Sequence, residues 1–278
     1  MNETDSIKML VGKSLSHQLS NEQELRNTEF SVFSQFGDDG IIQYLIKKIK
    51  SITEYFIEFG VENYLESNTR FLLQNNNWSG LILDGSKELV STIMKQQFYW
   101  KHDLTAVNAF INAENINDLL SGSPSQPGLL HIDIDGNDYW IWKAIKKIEA
   151  DIVIMEYNSV FGSERAITIP YYSDFNRAKY HYSNLYAGAS ITALCDLAED
   201  KGYLFIGSNS AGNNAYFVKK EKAGNLKPLS VKEGFVLSKF RESRDRQGNL
   251  TYLSGNDRLR EIKGLEVYNT RTNKIEIL

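Results

Sequence analysis

The 278-residue chain has little of several residue types, and each scarcity excludes a class of protein. Cys195 is its one cysteine, so no disulfide can form within the chain, and a reducing compartment is expected. Its 31 basic and 35 acidic residues leave a net charge of −4, which argues against a nucleic-acid groove. No apolar run approaches the ~20 residues of a membrane helix, and the polar first residues do not resemble a signal peptide. We therefore expect a cytoplasmic protein without nucleic-acid or membrane partners.

A strand, a turn, a helix and a second strand are predicted over residues 55–84, and the rest of the sequence is organised around this unit. The first apolar strand ends at Gly60, and the second, at residues 79–83, ends at Asp84. Two strands joined through a helix are expected to be parallel, with a right-handed crossover. Ligands of such sheets bind beyond the C-terminal ends of the strands. Gly60 and Asp84 are therefore expected at a binding site.

The residue types in this unit favour a nucleoside ligand. Gly60 lets the backbone approach a ligand closely, and the carboxylate of Asp84 can accept hydrogen bonds from two ribose hydroxyls. The turn lacks the GxGxxG pattern, and its acids Glu62 and Glu66 would repel a pyrophosphate. A ligand with a ribose and a cationic amino acid group, such as S-adenosylmethionine, suits these acids better. The alternative is the ordinary strand–turn–helix unit of any α/β domain.

The remaining segments continue the alternation of strands and helices. An amphipathic helix is predicted from about Asp39 to Ile49, with Asp38 and Asp39 as cap and first-turn acids. Pro124 and Pro127, two of the four prolines, mark a surface connection. The predicted fold class is an α/β, doubly wound, mostly parallel sheet with a late antiparallel strand pair. Its other elements are helices at 66–74, 87–97 and 190–201, and strands at 104–109, 129–132, 151–155 and 202–220.

Residues 159–190 interrupt this pattern with a long excursion that is dense in aromatic residues next to polar groups. Beyond the ligand end of a strand, an α/β enzyme commonly carries its acceptor loop or lid. Aromatic side chains with polar tips suit sugars and nucleobases. We interpret the excursion as an acceptor loop, and the alternative is an ordinary packed insertion. Its aromatic residues include Tyr171, Tyr172, Phe175, Tyr180, Tyr182 and Tyr186.

Acids and amides follow the ends of four successive predicted strands. If the strands are parallel, all of these side chains lie along one edge of the sheet, at a density that points to a site. The turn before the first strand adds Gln35 and Asp38 near the same edge, with helix capping as the alternative role. The strand-end residues are Glu58, Gly60, Glu62, Asp84, Asn112, Glu114, Asp133, Asp135, Asp138, Glu156 and Asn158.

Residues 31–220 carry a set of motifs that resembles a known family. They resemble the class I, Rossmann-like S-adenosylmethionine-dependent methyltransferases, and more narrowly the FkbM-like group and the bacterial sugar O-methyltransferases. Glu62 stands where the family's glycine motif has a second glycine. Because of this departure, the motif does not define the exact contacts between this turn and the cofactor. The motifs are SQFGDDGI, FIEFGVENYLESNTRFLL, GLILDGS, LLHIDIDGNDYWIW, DIVIMEYN and NNAYFV.

The resemblance implies a cofactor site along the strand ends. It would place Asp84 on the ribose hydroxyls, Glu58 and Gly60 beside the methionine part, and residues after the third strand by the adenine. The implied cofactor-binding residues are Gln35, Glu58, Gly60, Glu62, Asn68, Asp84, Gly85, Asn112 and Asp133.

The resemblance also implies a divalent metal ion, since some sugar O-methyltransferases hold one through acids after their fourth and fifth strands. The matching residues are Asp133 or Asp135 after the fourth strand, then Glu156 and Asn158. Oxygen ligands of this kind suit Mg²⁺ or Mn²⁺. The implied metal ligands are Asp133, Glu156 and Asn158, with the amide of Asn158 replacing an acid.

The implied reaction is O-methylation, in which a hydroxyl attacks the sulfonium methyl group in line and loses its proton. Candidate bases are Asp135, Glu156 and His181, the last within the aromatic excursion. His131 lies inside an apolar strand and is interpreted as a core histidine.

The implied acceptor is a sugar hydroxyl, of a nucleotide-activated sugar in surface polysaccharide (capsule) biosynthesis. The predicted division is an N-terminal arm at 1–30, a methyltransferase domain at 31–220 and a C-terminal extension at 221–278. The extension is expected to form either a homodimer surface or a wall of the acceptor site. The alternative functions are a nicotinamide-dependent sugar oxidoreductase and a non-catalytic binding module with the same fold.

Overall fold

The computed structural model describes residues 3–19, 22 and 24–278 of the chain. Ten strands and eleven α-helices form within these ranges, and three short 3₁₀ segments (Leu25–Thr28, Ser159–Phe161 and Lys220–Lys222) connect them. The helices are α1 Glu3–Gln18, α2 Asp38–Lys48, α3 Arg70–Asn75, α4 Lys87–Met94, α5 Gln97–Lys101, α6 Ile116–Leu119, α7 Asp138–Ala144, α8 Arg177–Tyr180, α9 Ile191–Asp200, α10 Val231–Gly234 and α11 Asn256–Ile262.

Seven strands form one mixed sheet in the order β3-β2-β1-β4-β5-β8-β7. The first five are parallel to one another, and β8 is antiparallel to both β5 and β7. This order and these directions make a Rossmann-like, doubly wound and mostly parallel α/β sheet with a late antiparallel strand pair, so the predicted fold class is confirmed. The strands are β1 Tyr55–Phe59, β2 Ser79–Asp84, β3 Leu104–Asn108, β4 Leu129–Ile132, β5 Ile152–Glu156, β7 Tyr203–Ser208 and β8 Asn214–Lys219.

Buried side chains cover both faces of this sheet, as its apolar strands require. One core packs α7 and α9 against one face, and the other packs α2, α3 and α4 against the opposite face. Strand residues alternate between the two cores, with Ile57 in the first and Phe56 in the second. The close approach at Gly80 shows how tight the second core is, because a Cβ there would meet the ring of Phe56 at 2.2 Å.

A second, three-stranded sheet joins distant parts of the chain in the order β10-β9-β6. Its strands are β6 Ile167–Thr168 from the aromatic excursion, and β9 Glu266–Asn269 and β10 Lys274–Ile277 from the C-terminal extension. Ile262 and Val267 are fully buried against Ile167 and Ile169 in the small core beneath this sheet. The extension therefore packs on the excursion.

Three predicted elements differ in extent from those observed. The predicted helix at 66–74 begins at Arg70, because the preceding turn wraps around the carboxylate of Glu58. The predicted helix at 87–97 ends at Met94, and α5 follows. The arm at 1–30, expected to be loosely ordered or a short helix, contains the 16-residue helix α1, while its residues 1, 2, 20, 21 and 23 lie outside the described ranges.

In the described part of the chain, no helix has both the length and the apolar character needed to cross a membrane.

Candidate active site

A cavity of about 820 Å³ opens at the C-terminal ends of β1, β2, β4 and β5. The strand order reverses between β1 and β4, which is where ligands of doubly wound sheets bind. Its walls come from the strand-end turns, from the loop before α2, from the excursion around α8, and from the C-terminal extension at Phe240 and Glu242.

The turn after β1 brings the backbone to the cavity edge without side-chain bulk. Gly60 has a φ of 72°, and a Cβ at this position would lie 1.7 Å from the carbonyl oxygen of Asp133 on the neighbouring turn. Glu62, where the family motif has a glycine, also adopts a positive φ of 48°. The position thus keeps the left-handed backbone that favours glycine, at a cost in strain that a site can require.

Asp84 lies at the end of β2 with both carboxylate oxygens facing backbone N–H groups. One oxygen accepts a hydrogen bond from the N–H of Glu62 at 2.7 Å, and the other accepts one from the N–H of Ser86 at 2.7 Å. Each oxygen of a carboxylate has a second lone pair, so both can accept a further hydrogen bond. Asp84 lines the cavity and is therefore held in position to bind a diol.

Glu58 is buried, and its carboxylate stabilises the turn that follows β1 by accepting hydrogen bonds from it. Its carboxylate accepts hydrogen bonds from Ser67 Oγ at 2.6 Å, from the N–H of Asn68 at 2.9 Å and from the hydroxyl of Thr69. The Nδ1 of His131 lies 2.9 Å from the same carboxylate. Burial by itself raises the pKa of Glu58, but the hydrogen bond and charge of His131 outweigh it, and the pKa lies below its usual value.

His131 is a satisfied core histidine, as its place in an apolar strand predicts, although its ring also reaches the cavity wall. Its Nε2 lies 3.2 Å from the amide Nδ2 of Asn68, opposite the contact to Glu58. Burial alone would lower the pKa of His131, but the bond to Glu58 raises it above its usual value. This pair fixes the amide of Asn68 at the cavity.

The loop before α2 is organised by Asp39. One carboxylate oxygen accepts hydrogen bonds from the backbone N–H groups of Val32, Phe33 and Ser34 at 2.7, 2.7 and 2.8 Å. The loop then carries Gln35 and Phe36 to the cavity. Gly37, and not Asp38, is the N-cap residue of α2.

Three carboxylates meet on the opposite side of the cavity, after β4 and β5. Ligand oxygens of Asp133, Asp135 and Glu156 all lie within 4.8 Å of one another. Although they reach the cavity, burial and mutual repulsion raise the pKa of Asp133 well above its usual value and that of Glu156 to about 8. Such a cluster can hold a proton near neutral pH or bind a hard divalent cation, since its donors are all oxygen.

Arg177 on α8 faces this cluster from the excursion. Its Nη1 donates to Asp135 at 2.6 Å, its Nε donates to the carbonyl of Asn184 at 2.6 Å, and its Nη2 lies 3.5 Å from Glu242. Burial by itself would lower the pKa of Arg177, but the neighbouring Asp135 and Glu156 outweigh burial, so the pKa lies above its usual value. Arg177 therefore joins the sheet edge, the excursion and the extension around the cavity.

Most of the predicted site residues line this one cavity, which brings together residues as far apart in the chain as Gln35 and Glu156. Their roles towards a cofactor remain predictions. The residues placed on the cavity are Gln35, Glu58, Gly60, Glu62, Asn68, Asp84, Gly85, Asp133, Asp135 and Glu156.

Three of the residues predicted to bind the cofactor or a metal ion, or to act as a base, do not line the cavity, and neither do the strand-end or turn acids Asp38, Glu114 and Asp138. Asn112 exchanges hydrogen bonds with Asn115 at 2.9 Å, the side-chain oxygen of each accepting from the backbone N–H of the other. Asn158 donates to the carbonyls of Leu185 and Ala187 and accepts from the N–H of Val160, so its amide is not free to bind a metal ion. His181 contacts Ser183 Oγ at 2.7 Å, and burial lowers its pKa.

Several cavity residues carry no signal that sequence reasoning singled out. They come from segments that are remote in sequence: the loop before α2, the excursion, the turn between β7 and β8, and the extension. These residues are Phe36, Asn137, Asn176, Arg177, Asn184, Asn213, Asn214, Phe240 and Glu242.

No family model matches this sequence, and none of the curated proteins matches it. Among solved structures, the N-terminal domain of EvdMO1 with SAH bound has a TM-score of 0.44 at 11% identity, covering 78% of this chain and 96% of that one. The O-methyltransferase from Bacillus cereus in complex with SAH has a TM-score of 0.42 at 11% identity, covering 79% and 92%. An O-methyltransferase family protein from Burkholderia thailandensis has a TM-score of 0.40 at 8% identity, covering 65% and 57%.

Proposed function

We propose that this protein is an S-adenosylmethionine-dependent methyltransferase that methylates a hydroxyl group of a sugar. One observation supports the proposal above all: two kinds of surface face each other across one cavity. Gly60 and Asp84 form a side suited to a nucleoside, and Asp133 and Glu156 belong to an acidic cluster on the opposite side. A cationic cofactor with a ribose and no phosphate suits both sides of the cavity.

The reaction would transfer a methyl group from the cofactor's sulfonium to the acceptor oxygen, which releases a proton. Holding the acceptor in line with the methyl group can supply about 7–11 kcal/mol of the barrier. In the metal-free cluster, burial and the nearby acids Asp135 and Asp138 raise the pKa of Glu156 to about 8, so Glu156 is a base strong enough to take up that proton in the fraction of molecules in which it is ionised. Asp135 is the second candidate base, and its Oδ1 also accepts a hydrogen bond from Arg177.

The acidic cluster has the ligand type that a hard divalent metal ion prefers, since its donors are all carboxylate oxygens. The three carboxylates, which repel one another, lie close enough to share one ion. Asp133, Asp135 and Glu156 would hold Mg²⁺ or Mn²⁺, with Asp135 in the place predicted for Asn158. Such an ion would lower the pKa of a bound acceptor hydroxyl.

The sugar part of the proposal is supported by the aromatic and amide groups around the acidic cluster, such as Phe175 and Asn137. The narrower predictions of a nucleotide-activated sugar, of a role in capsule biosynthesis and of an FkbM-like subgroup rest on the sequence resemblance. The N-terminal arm, central domain and extension, and a homodimer formed through the extension, remain proposals of the same kind.

The test of the proposal is calorimetric titration with S-adenosylhomocysteine, the product form of the cofactor. We expect micromolar binding that Asp84→Ala weakens about 10–100-fold, because a hydrogen bond to a charged group contributes about 1.5–3 kcal/mol. Asp118→Ala, which removes an exposed acid on α6 outside the cavity, is the matched control and should bind normally.

A protein that does not bind S-adenosylhomocysteine but gains thermal stability from a nicotinamide dinucleotide would favour the oxidoreductase instead. Binding without methyl transfer to any acceptor would favour the non-catalytic module.

A further inference from the structure

Among the described residues, the acidic end of the cavity offers an anionic ligand no cation that is not already paired. Four carboxylates line this end: Asp133, Asp135, Glu156 and Glu242. Among the described lining residues, Arg177 supplies the one guanidinium, and it is already engaged by Asp135, Glu242 and a backbone carbonyl. A bound divalent ion, or in its absence the protons that Asp133 and Glu156 hold near neutral pH, would offset only part of this negative charge, because the remaining acids still outnumber Arg177. An anion entering here would meet repulsion without a compensating partner.

Two amide oxygens in the same wall need hydrogen-bond donors. The Oδ1 of Asn137 and the Oδ1 of Asn184 are buried and have no partner in the protein. Asn137 is 3% exposed, and its Nδ2 is fixed by a hydrogen bond to the carbonyl of Tyr172 at 2.7 Å. A buried acceptor without a donor costs free energy, so a ligand that donates hydrogen bonds is favoured. Hydroxyl and ammonium groups donate, whereas an ionised carboxylate or phosphate only accepts.

Aromatic rings complete the wall beside these groups. Phe175 lines the cavity from the excursion, and Phe36 stacks on Phe240 with ring centroids 6.0 Å apart and an angle of 19°. Flat apolar surfaces beside hydrogen-bond acceptors suit the faces and hydroxyl edges of a sugar ring.

We infer that the acceptor ring entering this cavity is a neutral or amino-substituted sugar, and that rings bearing a carboxylate or phosphate are excluded. The inference rests on the proposed function and narrows it to a class of acceptor. A phosphate on another part of the substrate would have to remain outside this end of the cavity.

Saturation-transfer NMR on the protein loaded with S-adenosylhomocysteine tests this with matched ligands. The probes are the methyl glycosides of glucose, glucosamine and glucuronic acid, and the same set in the galactose series. We expect saturation transfer from the protein to the neutral and amino sugar rings. The uronates should bind at least about tenfold more weakly. Equal or tighter binding of a uronate would overturn the inference, and so would binding of none of the six rings.

Variants separate the charge effect from general damage. Glu242→Lys should reduce the discrimination against the uronate several-fold, because it replaces one of the four carboxylates with a cation. Glu88→Lys makes the same charge change on the exposed start of α4, outside the cavity, and should leave the discrimination unchanged. An unchanged ratio in Glu242→Lys would contradict the inference. Calorimetry on each sample reports cofactor binding, so failure of the proposed function is detected separately.

Discussion

At the scale of single residues, the acids along the sheet edge form two groups: one stabilises the turns, and the other forms the charged wall of the cavity. Asp39, Glu58 and Asp138 are buried and accept hydrogen bonds from backbone or hydroxyl donors, so they shape the turns. The second group, which includes Asp133 and Glu156, faces the cavity and shares its charge. Residue type does not separate the groups, because every member is a carboxylate after a turn or a strand.

Asp39 permits a prediction about pH. Burial, which outweighs the hydrogen bonds from Ser34, Phe33 and Val32, raises its pKa from 3.8 to about 6. The folded state then binds a proton that the unfolded state has lost, so the free energy of unfolding should fall as pH rises from about 4 to 6. A pKa that differs by one between the folded and unfolded states changes this free energy by about 1.4 kcal/mol.

Asp39→Asn should therefore make this decline smaller by the part that Asp39 causes, and it should be at least as stable as the parent at pH 7; Asp138, whose pKa is also raised to about 6, still contributes to the decline. Its amide oxygen can still accept the three N–H groups, and its NH₂ takes the place of an oxygen that has no partner. Asp39→Ala should lose about 1–3 kcal/mol at every pH, because it leaves buried donors unpaired. Urea unfolding at pH 4 and pH 7 measures both, and equal losses in the two variants would contradict the prediction.

Glu58 permits a prediction about the buried pair with His131. Glu58→Ala should lower the free energy of unfolding by about 3–5 kcal/mol, because it leaves an unpaired buried histidine and several unpaired donors. Glu58→Gln keeps an acceptor for Ser67 and the N–H of Asn68 and should lose less. Chemical denaturation followed by circular dichroism measures the difference. A Gln variant as unstable as the Ala variant would show that the charge, and not the hydrogen bonding, holds the turn.

At the scale of elements, a C-terminal strap of residues 236–253 contacts the residues that follow β5 and reaches the excursion at Ser183. The carbonyl of Val236 accepts a hydrogen bond from Tyr157 at 2.6 Å, and the hydroxyl of Ser238 contacts that of Ser159 at 2.6 Å. Arg258 donates to the hydroxyl and the carbonyl of Ser238 at 2.7 Å each. Anchored in this way, the strap holds Phe240 over Phe36 at the cavity.

Phe240→Ala should speed the release of S-adenosylhomocysteine about 2–5-fold, because a stacked aromatic pair contributes about 0.5–1.5 kcal/mol and this one is partly exposed. Stopped-flow displacement measures the release rate. Leu237→Ala is the matched control, since Leu237 is a similarly exposed apolar residue of the strap that does not line the cavity. Equal acceleration in both variants would indicate that the strap as a whole has loosened.

At the scale of the whole molecule, the end of the chain supports a segment about 100 residues earlier. The β9–β10 hairpin pairs with β6, and Trp140 of α7 lies 4.9 Å from Tyr268 of β9 between ring centroids. The excursion is therefore held between the large sheet and the extension, and the acceptor wall depends on both.

A chain shortened after Ser254 should keep the seven-stranded sheet but lose order in the excursion. It removes the fully buried Ile262 and Val267, each worth about 1.5–3 kcal/mol of burial, and the guanidinium that holds Ser238. Limited proteolysis with mass spectrometry should find cleavage within residues 159–190 at least about tenfold faster than in the full chain. Cleavage concentrated in β1–β5 would instead show that the extension stabilises the main sheet.

Local patterns in the sequence were enough to predict the elements of the sheet and the edge at which a site would lie. Apolar strands, turn residues and helical spacing are properties of short segments, so the strands β1 to β5 and the late antiparallel pair could be predicted from them. Gly60 and Asp84 could be placed because a parallel strand brings its C-terminal end to a known edge.

Which polar groups face the cavity, and which are engaged elsewhere, depends on tertiary packing. Asn158 has the right residue type, but its amide donates to the carbonyls of Leu185 and Ala187 in the excursion. Asn112 and His181 are instead held by residues three and two positions away. Arg177 and Glu242 join the acidic cluster because the excursion and the strap pack over the sheet edge. Such contacts link segments tens of residues apart, and their partners are chosen by packing, which no local pattern encodes.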